Sequence, residues 1–327
     1  FQFERSIMRI VDVTLRDGGF VSDFNWNLED AKLHANTMAS IGVHVVELGY
    51  WKQTEKRSNP FYNMDEKVLG YLSEDLPQST MVSAMIDFSY CSKNLEDYPL
   101  LGQTRLDILR ITSRKQDFTE ALAFAGKLKS HTGLKISFQI INCTNYSKKK
   151  LTDVAQMIVD ADLDVVAFAD SHGNLNLSVE MVNYRPAIEI FKENNLEWGF
   201  HLHNHTGRAA LNYWVLKNEG CDYMDGSVNG LGKGGGNLKL EEIVTNENIP
   251  RLLDYMVNFS AKEMRMSLPV SYNVLCGRAN VTDNYRKVGL LHNVEFSIFQ
   301  SILNKLEGDD KDAFNPSKFE LWMERSS

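Results

Sequence analysis

The chain has 327 residues, 43% hydrophobic and 24% charged, the balance of an ordinary globular enzyme long enough to bury a full core. Its net charge of −8 with no long basic run argues against a nucleic-acid or anionic-membrane surface, and no stretch approaches the roughly 18 apolar residues of a membrane span. The widely spaced Cys91, Cys143, Cys221 and Cys276 form no Cys-x-x-Cys and read as free thiols of a reducing cytoplasm, so a cytoplasmic location is expected.

In chain order, Phe1-Gln2 reads as a tag remnant, with a natural start expected near Met8. Short β-branched runs then alternate with amphipathic stretches. The runs 9–15, 43–49, 81–87, 106–112, 134–141, 164–170, 197–203 and 221–227 read as strands. Between them, 28–41, 64–72, 118–131, 149–161, 179–194, 208–220 and 238–246 place apolar residues at helical spacing, the first stripe being Leu33, Met38 and Ile41. This alternation predicts an α/β fold, a (β/α)8 TIM barrel. The weak point is 88–101, "FSYCSKNLEDYPLL", a poor helix. A doubly wound open sheet is the alternative, but it usually needs fewer strands and a glycine-rich first turn. The barrel is expected over 8–249. Residues 250–327 lose the alternation and read as a helical C-terminal extension packed on it, a candidate subunit interface.

Active sites of such barrels sit at the C-terminal mouth of the strands. There "GFHLHNHTGRAA" holds three of the chain's 8 histidines. Residues two apart on a strand share a face, so His201 and His203 aim together and can bind one divalent ion. His205 continues the series on the loop. The plain alternative is a polar strand end wetted by solvent. A carboxylate is the usual companion of such imidazoles, and "RIVDVTLRDGGF" supplies Asp17 behind Arg16. Asp12 and Thr14 alternate with Val11 and Val13, which predicts a polar face near the mouth and an apolar face on the helices. Strand one and strand seven are separated only by strand eight, so Asp17, His201 and His203 can converge. The plain alternative for Arg16-Asp17 is a surface pair before a turn.

Taken together, "DVTLRDGG", "VELG", "FADSHG", "HLHNHTG" and "DGSVNGLGKGGGN" occur in this order at successive strand ends. The set resembles the signature of the metal-dependent lyase and aldolase barrels, the superfamily of 3-hydroxy-3-methylglutaryl-CoA lyase and isopropylmalate synthase. The similarity covers about 8–245. The "GKGGGN" run with "LKLEEIV", and "LRITSRKQDFTEA", are most similar to the 4-hydroxy-2-oxovalerate aldolase branch.

The resemblance implies that Asp17, His201 and His203 hold a divalent metal, Mn²⁺ or Mg²⁺ in first place and Zn²⁺ or Co²⁺ as alternatives. It implies that Arg16 stabilises an enolate, that Asn237 lies near the metal or ligates it, and that Glu47 supports the site. Asp170 with Ser171 is expected to support metal-bound water or Arg16; a satisfied structural carboxylate is the alternative for Glu47 and Asp170. The related pyruvate-forming aldolases carry a basic histidine just beyond the arginine–aspartate pair, where this chain has Val21. His205, Asp23 and Tyr50 are the candidate replacements, and Tyr285 is matched to a tyrosine capping the site. "GLGKGGGN" lacks the GxxxxGK[ST] ending of a phosphate loop and reads as a tight turn delivering Asn237.

The expected function is a class II aldolase joining or splitting pyruvate, or a related 2-oxo acid, and an aldehyde. Claisen-type acyl-CoA chemistry and a non-catalytic binding barrel are the alternatives. A homo-oligomer is expected, and the resemblance also raises an aldehyde dehydrogenase partner.

Overall fold

In the computed structural model the chain is described over residues 7–52, 59–245, 247–248, 251–252, 255–256, 272, 276–277, 279–292, 294 and 296–324. Eight parallel strands close into one barrel in sequence order: β1 (Arg9–Asp12), β2 (Val45–Tyr50), β3 (Met81–Asp87), β4 (Ile108–Thr112), β5 (Lys135–Ile140), β6 (Val165–Asp170), β7 (Glu197–Leu202) and β8 (Tyr223–Gly226). β8 pairs with β1 through Arg9 opposite Tyr223 and Asp12 opposite Gly226, which completes the ring. Strands such as β2 and β6 are buried along their whole length. A barrel strand lies between lumen and helices, so it reads as a continuous apolar run.

After β1 come the one-turn helices α1 (Thr14–Asp17) and α2 (Gly19–Ser22), then α3 (Leu28–Ser40). The later helices are α4 (Glu66–Ser73), α5 (Phe118–Thr132), α6 (Lys148–Asp160), α7 (Leu177–Glu193) and α8 (Ala209–Glu219). Their starts are chemically specified. The Asn27 side chain accepts from the amides of Glu29 and Asp30, and Asp65 and Ser147 accept from Val68 and Lys150, satisfying donors that the first helical turn leaves open.

Several local expectations are corrected. β1 ends at Asp12, so Arg16 and Asp17 leave from a helical turn and not from the strand. The faces of β1 are reversed. Val11 and Val13 pack inside the barrel with Val45, Ile108, Val165 and Tyr223, while Asp12 turns to the helix layer, its Oδ2 2.7 Å from His34 Nε2. A buried carboxylate needs partners, and Asp12 finds them in His34 and in the amide and hydroxyl of Thr14. On α3, Leu33 is 58% exposed; the buried stripe is Ala31, His34, Ala35 and Met38. Residues 238–245 show a short 3₁₀ turn, Leu240–Glu242, in place of a helix, and 246 lies outside the described residues. The poor helix at 88–101 is likewise only a 3₁₀ turn, Leu95–Asp97.

Beyond the barrel, helices run Tyr285–Leu291, Phe296–Leu303 and Pro316–Glu324. Tyr272, Cys276, Tyr285, Phe299 and Phe319 share a hydrophobic cluster of their own, whereas Leu252 and Tyr255 pack in the barrel's core. Among the described residues no helix is long and apolar enough to cross a membrane. All four cysteines are free and buried.

Candidate metal centre

One atom each of Asp17, His201 and His203 lies within 4.8 Å of the others, and all three residues are buried. The histidine tautomers follow from their neighbours. His201 Nδ1 lies 2.8 Å from Asp225 Oδ2 and His203 Nδ1 lies 3.2 Å from the Gly236 carbonyl. Both partners only accept, so each Nδ1 donates and each Nε2 keeps its lone pair. Burial lowers the His203 pKa to about 4, so it is neutral at pH 7. Burial opposes ionisation of Asp17, yet the adjacent Arg16 guanidinium, with His203, holds its carboxyl well below the usual range. A neutral His203 and an ionised Asp17 are ligand states that a divalent cation requires.

The glycine run closes the site from β8. His203 bridges to Asn237, whose Nδ2 lies 2.9 Å from Asp17 Oδ2; the Lys233 amide donates to the same oxygen at 3.1 Å. A Cβ on Gly232 would lie 2.4 Å from Asn237 Nδ2 and 2.6 Å from Asp17 Oδ2, so only glycine lets the loop approach this closely. Asn237 Oδ1 is buried without a hydrogen-bond partner. An orphaned buried acceptor is costly, and at this position it complements a cation. The donor set therefore fits a divalent metal.

A chain of buried ion pairs supports these three residues from inside the barrel. Arg16 Nη1 lies 2.6 Å from Asp17 Oδ1 and its Nε 2.8 Å from Glu47 Oε1. Glu47 Oε2 lies 2.8 Å from Arg110 Nη1, and Arg110 Nη2 lies 2.6 Å from Asp225 Oδ2. Asp17 and His201 are thus joined through Arg16, Glu47, Arg110 and Asp225. Burial opposes the charge on Arg16, but Glu47 and Asp17 raise its pKa above the ordinary value.

The other expected residues divide. Glu47 joins this chain, and Tyr50 lines the cavity above it. Burial pushes the Tyr50 phenol well above its usual pKa, so it stays protonated and is no base. Asp170 contacts neither Arg16 nor the ligands: its oxygens accept from the amides of Asn174 and Leu175, a turn cap, and burial raises its pKa to about 7. Ser171 does line the cavity. Asp23 is exposed, in the left-handed residue closing α2. Tyr285 is buried in the C-terminal cluster, its hydroxyl donating to the Asp310 carbonyl at 2.8 Å, and it does not cap the site. His205 lies behind His203, walled by Gly173, Gly234, Gly235 and Gly277, and does not face the cavity. Val21 packs against the core; the loop presents Phe20 to the cavity instead.

Sequence reasoning missed Arg110, Asp225, His172 and Lys233. A signal existed for Arg110, an arginine inside the otherwise apolar "LDILRIT". The cavity, about 880 Å³, is lined by Arg16, Asp17, His201 and His203 below and by Thr282, Asn284, Asp309 and Asp312 above. The C-terminal segment therefore roofs the barrel mouth.

The HMGL-like family model matches residues 104–262. The chain is 24% identical over 237 residues to oxaloacetate decarboxylase of Mycobacterium tuberculosis, covering 72% of this chain and 68% of that protein. It is 24% identical over 242 residues to 4-hydroxy-2-oxovalerate aldolase of Bacillus cereus, with 72% and 68% coverage. Against 2-isopropylmalate synthase of Methanocaldococcus jannaschii it is 25% identical over 240 residues, 72% of this chain and 45% of that one. Among solved structures, the N-terminal domain of a putative aldolase from Bacteroides vulgatus superposes with a TM-score of 0.70 at 19% identity, covering 91% of this chain and 100% of that one. The carboxyl transferase domain of Rhizobium etli pyruvate carboxylase gives 0.72 at 17% identity, covering 99% of this chain and 61% of that one. These likenesses extend the barrel assignment. The chain is a closed eight-stranded barrel that resembles the HMGL-like family over residues 104–262.

Proposed function

We propose that this HMGL-like enzyme is a divalent-metal-dependent aldolase that makes or breaks the C3–C4 bond between a 2-oxo acid and an aldehyde. The observation that carries the reading is the convergence of Asp17, His201 and His203 at the floor of an open cavity, with Arg16 held against Asp17. These three residues would hold Mn²⁺ or Mg²⁺, which supplies Lewis-acid polarisation of a 2-oxo acid when bound.

Arg16 does the electrostatic work of the chain itself. Its Nε and Nη1 hydrogens are committed to Glu47 and Asp17, which leaves Nη2 for a substrate oxygen. When the C3–C4 bond breaks, negative charge grows on the 2-oxo oxygen. A fixed guanidinium beside that oxygen stabilises the charge without reorganising. Glu47 keeps it fixed and is itself held by Arg110.

The test is pyruvate release from 4-hydroxy-2-oxo acids, run beside elemental analysis. Asp17→Asn is expected to lose bound Mn²⁺ and the activity together. Unchanged metal content and lyase activity in that variant would overturn the reading.

A further inference from the structure

We propose that His172, held by the C-terminal segment as its Nδ1–H tautomer, is the proton acceptor for the C4 hydroxyl of the substrate. This rests on the aldolase reading and adds the base that it lacks. His172 lies in "FADSHG", is 2% exposed and lines the cavity, and its Nε2 is buried with no hydrogen-bond partner.

The tautomer follows from a chain of amides. Asp312 Oδ1 accepts from Asn145 Nδ2, which turns Asn145 Oδ1 to Asn280 Nδ2. Asn280 Oδ1 therefore faces His172, 2.9 Å from Nδ1, and also accepts from Thr144 Oγ1 at 2.8 Å. An oxygen that only accepts requires the proton on Nδ1, so Nε2 is a bare lone pair. Nε2 lies 3.6 Å from Asp312 Oδ1, too far for a direct hydrogen bond. No donor stands between these two acceptors, so the Nε2 lone pair is free to accept the proton of a substrate hydroxyl. Burial lowers the His172 pKa to about 4, with Lys233 and Lys311 lowering it further and Asn280 and Asp283 opposing, so the ring is neutral at pH 7.

In cleavage, Nε2 takes the C4 hydroxyl proton and the O–H pair becomes the aldehyde C=O. The C3–C4 pair moves towards the 2-oxo oxygen beside Arg16. The proton then passes from Nε2 to C3, which releases pyruvate and restores the neutral ring. Loss of CO2 from oxaloacetate breaks the same bond with no hydroxyl proton to remove, so it bypasses this step.

The test compares pyruvate release from 4-hydroxy-2-oxovalerate and from oxaloacetate in the Mn²⁺-loaded full chain. His172→Gln is expected to lower the ratio of the two kcat/KM values by about 100-fold, the scale of one general base, and Asn280→Ala to lower it by a smaller factor. In the metal-free protein, ¹⁵N NMR is expected to show His172 Nε2 as the unprotonated nitrogen. An unchanged ratio in both variants, or a protonated Nε2, overturns the proposal and leaves the aldolase reading standing. If the unaltered protein releases pyruvate from neither compound, both fail.

Discussion

Arg110 Nη2 stands 2.6 Å from Asp225 Oδ2, the same carboxylate oxygen that accepts from His201 Nδ1 at 2.8 Å. One arginine inside the barrel therefore anchors, through Asp225, a residue of the candidate metal centre, while its other arm holds Glu47. Breaking a buried pair leaves an uncompensated charge, and this one has two. Arg110→Met is expected to cost about 3–5 kcal/mol of stability, read by urea denaturation. Calorimetric titration with Mn²⁺ is expected to show affinity weakened by about 10- to 100-fold, the effect of losing an outer partner of a ligand. Wild-type affinity in a folded variant would refute this link.

Arg16→Gln removes the fixed charge and keeps all three proposed ligands. It is expected to lower kcat/KM for pyruvate release by about 10²- to 10³-fold, the scale of one lost oxyanion donor. Elemental analysis is expected to find Mn²⁺ still bound. Equal loss of metal and activity would make Arg16 a scaffold for Asp17 and nothing more.

Acidification is expected to destabilise the metal-free protein. Burial lowers His172 and His203 to about 4 and His205 to about 3, from an ordinary 6.5. Between pH 6.5 and about 4 the unfolded chain therefore binds protons that the folded one refuses, and stability falls as pH falls. Asp170 acts oppositely. Its pKa, raised to about 7, lets the folded state bind a proton that the unfolded state binds only near 3.8, so it gains stability over the same descent. Among these four groups three protons outweigh one, each about 1.4 kcal/mol per pH unit; His44 is lowered by less, and burial raises Asp87, Glu241 and Asp312 by less. Urea midpoints from pH 7 to 4.5 are expected to decline, and His172→Gln to flatten the slope by about one proton. A stability that rises on acidification would contradict the buried neutral histidines.

Tyr285→Phe separates a structural tyrosine from a capping one. The hydroxyl donates to the Asp310 carbonyl and accepts from the Asn315 amide at 3.1 Å, both in the C-terminal segment. Its loss is expected to lower stability by about 1–2 kcal/mol and to leave kcat for pyruvate release within about twofold. A large drop in kcat without loss of stability would return Tyr285 to the active site.

Much of the barrel was legible because each strand is buried on both sides and announces itself as a short apolar run. Residues 197–203 show this, and there the i, i+2 spacing also placed His201 and His203 on one face. β1 misled because a polar residue at a strand end suggests the lumen, whereas Asp12 found His34 on α3. Asp170 misled for a related reason: a carboxylate at a strand mouth looks catalytic, but the nearest unsatisfied donors were the amides of its own loop. His172 stands in "FADSHG" with no local sign of a role, since its neighbours Asn280 and Asp312 lie more than a hundred positions away.

What this sequence determined by itself was periodic and local: the alternation of strand and helix, and the pairing of imidazoles two residues apart. Those follow from backbone geometry, which repeats within a few residues. The tertiary structure alone decided which charges meet, that Arg110 spans Glu47 and Asp225, and that the segment after residue 280 roofs the cavity and fixes the His172 proton. Such contacts depend on which strands and loops closure brings side by side, and burial then makes each ionised or lone-pair group take whatever partner is within reach.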